Sequence, residues 1–289
     1  MKNLILILFI VFTIKANPNK NIKNDIMIVM TYNIRYAGDE KAERINSWNN
    51  RKELVARMIR FHHADLIGVQ EALINQLEDL IKLLPEYRWI GVGRDDGKQK
   101  GEFSAILYRK DRFELLQDST FWLSKTPDGP SKGWDAAYPR IVTFAKFKDK
   151  STKKIFYQFN THLDNVGETA RENSAKLIRE RVDEIEETYP LIITGDFNVN
   201  PNSEVYQIMV DTINYKRKIY DSEKISVYPS YGSKVSFNDF GKNVLAGNKI
   251  DYIFVNDKIK VLQHGIIGDT FNGQYPSDHM PVIVEVIIK

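Results

Sequence analysis

Residues 191–201, LIITGDFNVNP, run three apolar residues and a threonine into Gly195, then set Asp196 and Asn198 two positions apart before Pro201. The run reads as a buried strand. Alternation along a strand sends residues two apart to the same side, which aims a carboxylate and an amide at one point. GDFN taken alone also suits a turn, because Gly, Asp and Asn are all favoured there. Other strand ends decide between the two.

The same punctuation recurs along the chain, where apolar runs end in Asn33, Glu71, His162, Asp196 with Asn198, Asp251, and Asp278 with His279. Strand ends on one edge of an α/β sheet converge, so groups far apart in sequence meet in one cleft. Acidic groups crowded there repel unless a cation sits among them. A carboxylate beside an amide suits a base that takes a proton from water while the amide positions that water or a phosphoryl oxygen. Singly, each position has a plainer explanation: Glu71 at a helix start, Asn33 in an Asx turn, Asp278 as a cap, His162 and His279 as structural histidines. Asp251 lies inside an apolar strand and needs a partner. Their joint occurrence carries the weight.

The remaining pattern fits one domain of stacked sheets. Strands are expected at IMIVMTYNIR, ADLIGVQE, FSAILYR, FELLQDSTFWL, RIVTFAKFK, KIFYQFNTHL, PLIITGDFN, KIDYIFV, KIKVLQHGII and PVIVEVII. Helices are expected at RKELVARMIRFH, with Leu54, Val55, Met58 and Ile59 on one face, at ALINQLEDLIKLLP, over residues 168–189, and at NSEVYQIMV. Many strands with few helices suggest two stacked sheets flanked by helices. No repeat or long linker divides the chain.

Composition narrows the chemistry. At 289 residues and 43% hydrophobic content, the chain can bury a substantial core. It has no Cys, so any metal must be held by Asp, Glu, Asn or His, and oxygen donors select hard cations. The opening MKNLILILFIVFTIKANPN reads as a signal peptide over residues 1–16, followed by a flexible segment at 17–26 and the domain at 27–289. The apolar run is about half of what a spanning helix needs, so no stable membrane span is expected, an uncleaved anchor being the alternative. Export to the periplasm or beyond follows. Losing residues 1–16 removes Lys2 and Lys15 and lowers the formal charge from +3 to +1, too balanced for a strong nucleic-acid footprint.

With these residues in view, the chain resembles the endonuclease/exonuclease/phosphatase superfamily over about residues 27–288. That superfamily includes deoxyribonuclease I, abasic-site endonucleases, neutral sphingomyelinases, inositol polyphosphate 5-phosphatases and deadenylases. The motifs stand in the family's order: TYNIR, GVQE, NTHLD, TGDFN, IDYIF and PSDHMP. The resemblance implies a four-layer α/β/β/α sandwich of two packed mixed sheets, and hydrolysis of a phosphoester with Mg²⁺, or Mn²⁺ or Ca²⁺ in its place. It implies Glu71 as principal metal ligand with Asn33 and Asp278 nearby, Asp196 as the activator of water helped by Asn198, and His279 on phosphate with Asp251 orienting it. Glu102 in KGEFSAILY matches a carboxylate that pairs with the histidine at His162 in deoxyribonuclease-like members, a pair suited to protonating the leaving group. Arg140 in AYPRIVTF matches a phosphate-contacting arginine. Further runs, NSW.NR, IGVGRDDG with GEFSAI, FWLS.TPD and GWDAA.PR, are shared with an exported bacterial subgroup.

The substrate stays open on sequence. The loop SKTPDGPSKGWDAAYPR is the expected specificity element, with Trp134 and Tyr138 suited to stacking a ligand. The readings are a phosphodiesterase or phosphatase on small phosphoesters, lipid headgroups or sugar phosphates, a nuclease, and a non-catalytic binding module. The intact Glu71, Asp196, Asn198, Asp251 and His279 argue against the last. A monomer is expected.

Overall fold

The computed structural model describes residues 25–244 and 248–289. The expected leader and most of the 17–26 segment lie outside the described residues, although Ile26 already belongs to the first strand.

In chain order the elements are β1 (Ile26–Asn33), α1 (Trp48–Phe61), β2 (Leu66–Ala72), α2 (Ile74–Leu83), β3 (Tyr87–Ile90), β4 (Phe103–Arg109), β5 (Phe113–Trp122), β6 (Ile141–Asp149) and β7 (Ile155–His162). There follow α3 (Glu168–Asp183), β8 (Leu191–Asp196), α4 (Glu204–Val210), β9 (Ile219–Asp221), β10 (Tyr231–Gly232), β11 (Asp251–Asn256), β12 (Ile259–Ile266) and β13 (Val282–Ile288). One sheet runs β10-β12-β13-β1-β2-β4-β3 and the other β5-β6-β7-β8-β11-β9. Both are mixed. β1 pairs parallel to β2 and antiparallel to β13, and β7 pairs parallel to β8, which is antiparallel to β11.

Three apolar clusters match the three interfaces of four layers. Val29, Leu66, Ile106 and Val284 of the first sheet meet Phe147, Phe156, Ile192 and Ile253 of the second. Met30, Tyr32, Ile67 and Leu107 take the opposite face of the first sheet and meet Trp48, Val55, Met58 and Ile59 of α1 with Leu77 and Leu80 of α2. Phe159, Ile193 and Phe254 meet Ala175, Ile178 and Val182 of α3 with Val205 and Met209 of α4. Because both faces of each sheet are covered, central strands such as IMIVMTYN are apolar on both sides instead of alternating. Each large side chain buried this way contributes about 1.5–3 kcal/mol.

One polar layer interrupts the inter-sheet core directly beneath the strand ends. Asn160 on β7 donates from Nδ2 to the Val69 and Ala105 carbonyls of the other sheet (2.9 and 2.8 Å) and accepts at Oδ1 from Gln70 Nε2 (2.6 Å) and Thr194 Oγ1 (3.0 Å). Gly68 makes this approach possible, since a Cβ there would lie 2.1 Å from Thr194 Oγ1 and 2.3 Å from Asn160 Oδ1.

Two expectations are corrected. The helix expected over 168–189 ends at Asp183, whose carboxylate accepts the Lys216 and Arg217 backbone N–H groups (2.8 and 2.9 Å). Beyond it, the Ile185, Glu186 and Tyr189 carbonyls accept from the Arg217 guanidinium instead of from helical N–H groups. Three short strands absent from the expected set, β3, β9 and β10, span only four, three and two residues, too few to show an apolar period.

Candidate active site

Register brings the polar strand ends together. His162 on β7 is level with Asp196 on β8, and Asp196 is level with Asp251 on β11, so three neighbouring strands present these groups in a row. Across the sandwich β1 faces β8 and β2 faces β7, which adds Asn33 and Glu71 from the other sheet. Glu71 enters by an irregularity: the β2–β4 register shifts between Val69 and Ala72, and Glu71 takes a left-handed conformation (φ 62°). Such bulges re-aim a side chain at a sheet rim.

The two readings of GDFN are both realised. β8 ends at Asp196, and the Asp196 carboxylate then accepts the Asn198 backbone N–H (3.0 Å) in an Asx turn that holds Asn198 at φ 51°. Asn198 therefore reaches the site through the turn and not by strand alternation. Its amide nitrogen lies 3.0 Å from His162 Nε2 and donates to the Leu163 carbonyl (3.0 Å).

Asp196 is the hub. Its Oδ2 accepts from Asn33 Nδ2 (3.0 Å), lies 3.5 Å from His162 Nε2 and 3.7 Å from His279 Nε2. Burial, reinforced by the neighbouring Asp251 charge, pushes its carboxyl up to about 7, the range a base working near neutrality requires. His279 Nδ1 is 2.8 Å from Asp251 Oδ2. Burial alone would depress the imidazole, but Asp251 and Asp196 outweigh it and hold it well above its usual range, so His279 is an imidazolium between two carboxylates. His162 goes the other way. Burial, and then the Arg140 and Arg94 charges, hold it well below its usual range, and it is neutral.

Asp196, Asp251 and His279 offer ligand atoms within 4.8 Å of one another. The His279 proton already supplies the cation that this cluster needs. The better match to a divalent ion lies at Glu71 and Asp278, each of which is 3.9 Å from the Arg35 guanidinium, beyond hydrogen-bond range, and Arg35 Nε has no hydrogen-bond partner. Burial raises the Asp278 carboxyl above its ordinary value; the His279 charge opposes this and the Glu71 charge adds to it. Asn33 bridges the two sides of the site: its Nδ2 donates to Glu71 Oε1 (3.0 Å) and to Asp196, while its Oδ1 accepts the Arg35 N–H (3.0 Å).

These groups line a cleft of about 680 Å³ together with Arg94, Glu102, Tyr138, Arg140, Phe237 and Asp239. Two further expectations change. Glu102 pairs with Arg94 Nη1 at 2.7 Å and makes no hydrogen bond to His162, because the 93–102 hairpin brings the guanidinium to the carboxylate first. Trp134 does not line the cleft; it occupies a left-handed turn (φ 47°) pinned when Asp135 accepts the Thr169 and Ala170 N–H groups of α3. Tyr138 and Arg140 do line the cleft. Sequence reasoning gave no role to Arg35 and Arg94, although Arg35 lies inside TYNIR and Arg94 inside IGVGRDDG.

A profile of the endonuclease/exonuclease/phosphatase family matches residues 30–279. The chain belongs to this family. A mannosyl-6-phosphatase of Bacteroides thetaiotaomicron is 40% identical, with a TM-score of 0.85 over 91% of this chain and 100% of that one. A family protein of Bacteroides vulgatus has the same identity and TM-score over 91% and 99%. An uncharacterised protein of Acanthamoeba polyphaga mimivirus is 26% identical over 89% of this chain and 99% of its own length. The human nocturnin catalytic domain, 19% identical with a TM-score of 0.70 over 92% and 94%, shares the fold. The four-layer sandwich is thus the family's, and its named members include phosphatases and nucleases acting on phosphoesters. Among the described residues no helix is long and apolar enough to cross a membrane.

Proposed function

We propose that this protein is a metal-dependent phosphoesterase that cleaves a phosphomonoester of a sugar by in-line attack of water. The observation that carries the reading is the placement of Asp196 between a neutral His162 and an Asp251-backed His279 imidazolium. The monoester and sugar come from the likeness to the Bacteroides thetaiotaomicron mannosyl-6-phosphatase, and they replace the expected diester. The nuclease alternative loses its main support, since Glu102 is committed to Arg94 and does not pair with His162.

In this reading Asp196 accepts the proton of the attacking water, whose oxygen forms the new P–O bond while the ester P–O bond breaks; the leaving alkoxide takes a proton from solvent to depart as the alcohol, Asp196 returns its proton to solvent, and inorganic phosphate is released. The Asn198 amide positions the nucleophile or a phosphoryl oxygen. His279 faces the charge that develops on the phosphoryl oxygens, and Asp251 keeps it protonated. Glu71 and Asp278 would hold a divalent cation, Mg²⁺ or its Mn²⁺ and Ca²⁺ substitutes, with Asn33 orienting Glu71. That ion supplies Lewis-acid polarisation of a phosphoryl oxygen. Export and a monomeric state, expected from sequence, belong to the same proposal.

The test is hydrolysis of sugar phosphates, inositol phosphates, a lipid phosphodiester and a nucleic acid by the protein with Mg²⁺ or with chelator, Asp196→Asn alongside. Chelator-sensitive and Asp196-dependent release of phosphate from a sugar monoester is expected. Turnover that survives Asp196→Asn, or a nucleic acid as the preferred substrate, overturns the reading.

A further inference from the structure

Arg35 stands among the carboxylates that would hold the divalent ion and closes on none of them. Its guanidinium is 3.9 Å from Glu71 Oε2, from Asp278 Oδ2 and from Glu43 Oε1. A contact of that length is an ion pair without a hydrogen bond. Other arginines of the fold lie on their acceptors: Arg51 reaches the Ile34, Pro276 and Arg35 carbonyls at 2.7, 2.9 and 3.2 Å, and Arg112 reaches Asp65 at 2.7 Å and Asp149 at 3.1 Å.

The backbone fixes where this guanidinium stands. Arg35 is held in a left-handed conformation (φ 57°), which a residue other than glycine adopts at a cost. Its N–H donates to Asn33 Oδ1 (3.0 Å), its carbonyl accepts from Gln76 Nε2 (2.9 Å) and Arg51 Nη2 (3.2 Å), and the next N–H, that of Tyr36, donates to Glu71 Oε2 (3.2 Å). The Tyr36 ring centre lies 4.3 Å from the guanidinium carbon and gives it a platform. Glu43 arrives from a short helix, Glu40–Glu43, capped by Asp39. Gly38 leaves room for it, since a Cβ there would lie 2.5 Å from Glu43 Oε1. The Glu43, Glu71 and Asp278 side chains are only 16, 14 and 10% exposed, so solvent screens little of the charge they gather.

Three carboxylates around one guanidinium leave two negative charges over, the charge of one divalent ion. Neighbouring cations are already spent, the His279 imidazolium on Asp251 and Asp196, and Arg51 on backbone carbonyls. Resting on the phosphoesterase reading, we propose that Arg35 is a resident counter-cation of the metal site: it keeps Glu43, Glu71 and Asp278 together while the site is empty and competes with the divalent ion that enters, so that the ion is held exchangeably. Because the guanidinium makes no hydrogen bond to these carboxylates, none has to break when the ion arrives. Arg35 is thus a positioning residue, acting through the groups that face the ion and taking no part in the proton transfers.

The experiment strips the full chain with chelator, titrates wild type, Arg35→Gln and Arg35→Lys with Mn²⁺ by calorimetry, and melts each protein in chelator. Arg35→Gln is expected to tighten Mn²⁺ binding about 10- to 100-fold, the effect of removing one unit charge a few ångströms from the ion in partly screened surroundings, while lowering the melting temperature in chelator. Arg35→Lys keeps the charge and is expected to stay within about 3-fold of wild type. The opposite signs in Arg35→Gln, a tighter site on a less stable chain, identify the role. An arginine that only shapes the loop would weaken metal binding when replaced, and one that only contacts phosphate would leave it unchanged; either result overturns the proposal, as does Arg35→Lys tightening as much as Arg35→Gln. If Arg35→Gln is too unstable for calorimetry, the rise of its melting temperature with Mn²⁺ must exceed that of wild type, and an equal or smaller rise rejects the proposal. Phosphate release measured on the same samples judges the phosphoesterase reading separately: a wild type that cleaves no ester fails that reading, and the Mn²⁺ affinities still decide the role of Arg35.

Discussion

Asp164 fastens the cleft's loop to its scaffold, and replacing it by asparagine tests that role quantitatively. Its side chain is 1% exposed. Oδ1 accepts the backbone N–H groups of Ala137 (3.1 Å), Val166 (3.0 Å) and Gly167 (2.8 Å), and Oδ2 accepts from the Tyr138 N–H (3.3 Å) and Arg140 Nε (3.2 Å). Burial alone would raise this carboxyl; the Gly167, Ala137 and Val166 N–H groups and the Arg140 charge outweigh it and hold it at about 2, below its ordinary 3.8. At 1.36 kcal/mol per pH unit, this difference is worth about 2.4 kcal/mol of folding stability. Because the folded value lies below the unfolded one, the contribution is complete at neutral pH and is lost as pH falls from about 5 toward 2, with roughly half remaining at pH 3. Urea unfolding of wild type and Asp164→Asn at pH 7 and pH 3 reads it directly. The variant is expected to be about 2 kcal/mol or more less stable at pH 7, and the gap is expected to narrow by about 1 kcal/mol at pH 3. A gap below about 0.5 kcal/mol at pH 7, or one that does not change with pH, refutes the reasoning.

Four further outcomes are expected. Asp196→Asn lowers kcat by about 10²- to 10⁴-fold while thermal unfolding stays near wild type, since it removes a base and relieves the charge facing Asp251. His279→Ala lowers kcat comparably and also destabilises the fold by about 3–5 kcal/mol, because it strands Asp251 and Asp196 without their shared cation; denaturation at constant pH measures the cost. Glu71→Gln weakens Mn²⁺ or Mg²⁺ binding, read by calorimetry on the purified chain, and leaves the melting temperature of the chelated protein unchanged. Gly68→Ala destabilises by about 1–3 kcal/mol or more, since its Cβ would meet Thr194 Oγ1 and Asn160 Oδ1 and force the two sheets apart.

Much of the architecture was legible because the central strands are buried on both faces and read as continuous apolar runs, as in LIITGD and IMIVMTYN. β3, β9 and β10 escaped because they span only four, three and two residues, too few to show an apolar period, whereas the ten-residue edge strand β5 registered. The groups that meet in the cleft were legible as candidates because Asn33, Glu71, His162, Asp196 and Asp251 all interrupt apolar runs, and an uncompensated polar group at such a place demands a partner. Partner choice was not legible. For Glu102 the sequence suggested His162 as mate, and only the hairpin that folds residue 94 onto residue 102 brings the competing Arg94 guanidinium to it. Trp134 failed similarly, since aromatic character marks a ligand-stacking residue and a loop-packing residue alike.

The strand-end carboxylate of Asp196 is positioned by both sheets at once. Asp196 makes its contacts to Asn33 from one sheet and to His162 and His279 from strands or loops of both, so its geometry depends on the distance between the sheets as much as on register within them. A displacement of about 1 Å at a reacting centre can cost on the order of 100-fold in rate. An apolar interface sets such a distance loosely, because hydrophobic contact is not directional. The Asn160 amide, with two donors on the carbonyls of the opposite sheet and two hydrogen bonds accepted at its oxygen, sets it directionally, one layer below the cleft. Gly68, lacking a side chain, lets that amide in. The polar layer that breaks the core therefore belongs to the site: it exchanges some hydrophobic burial for a fixed spacing between the sheet that carries Glu71 and the sheet that carries Asp196.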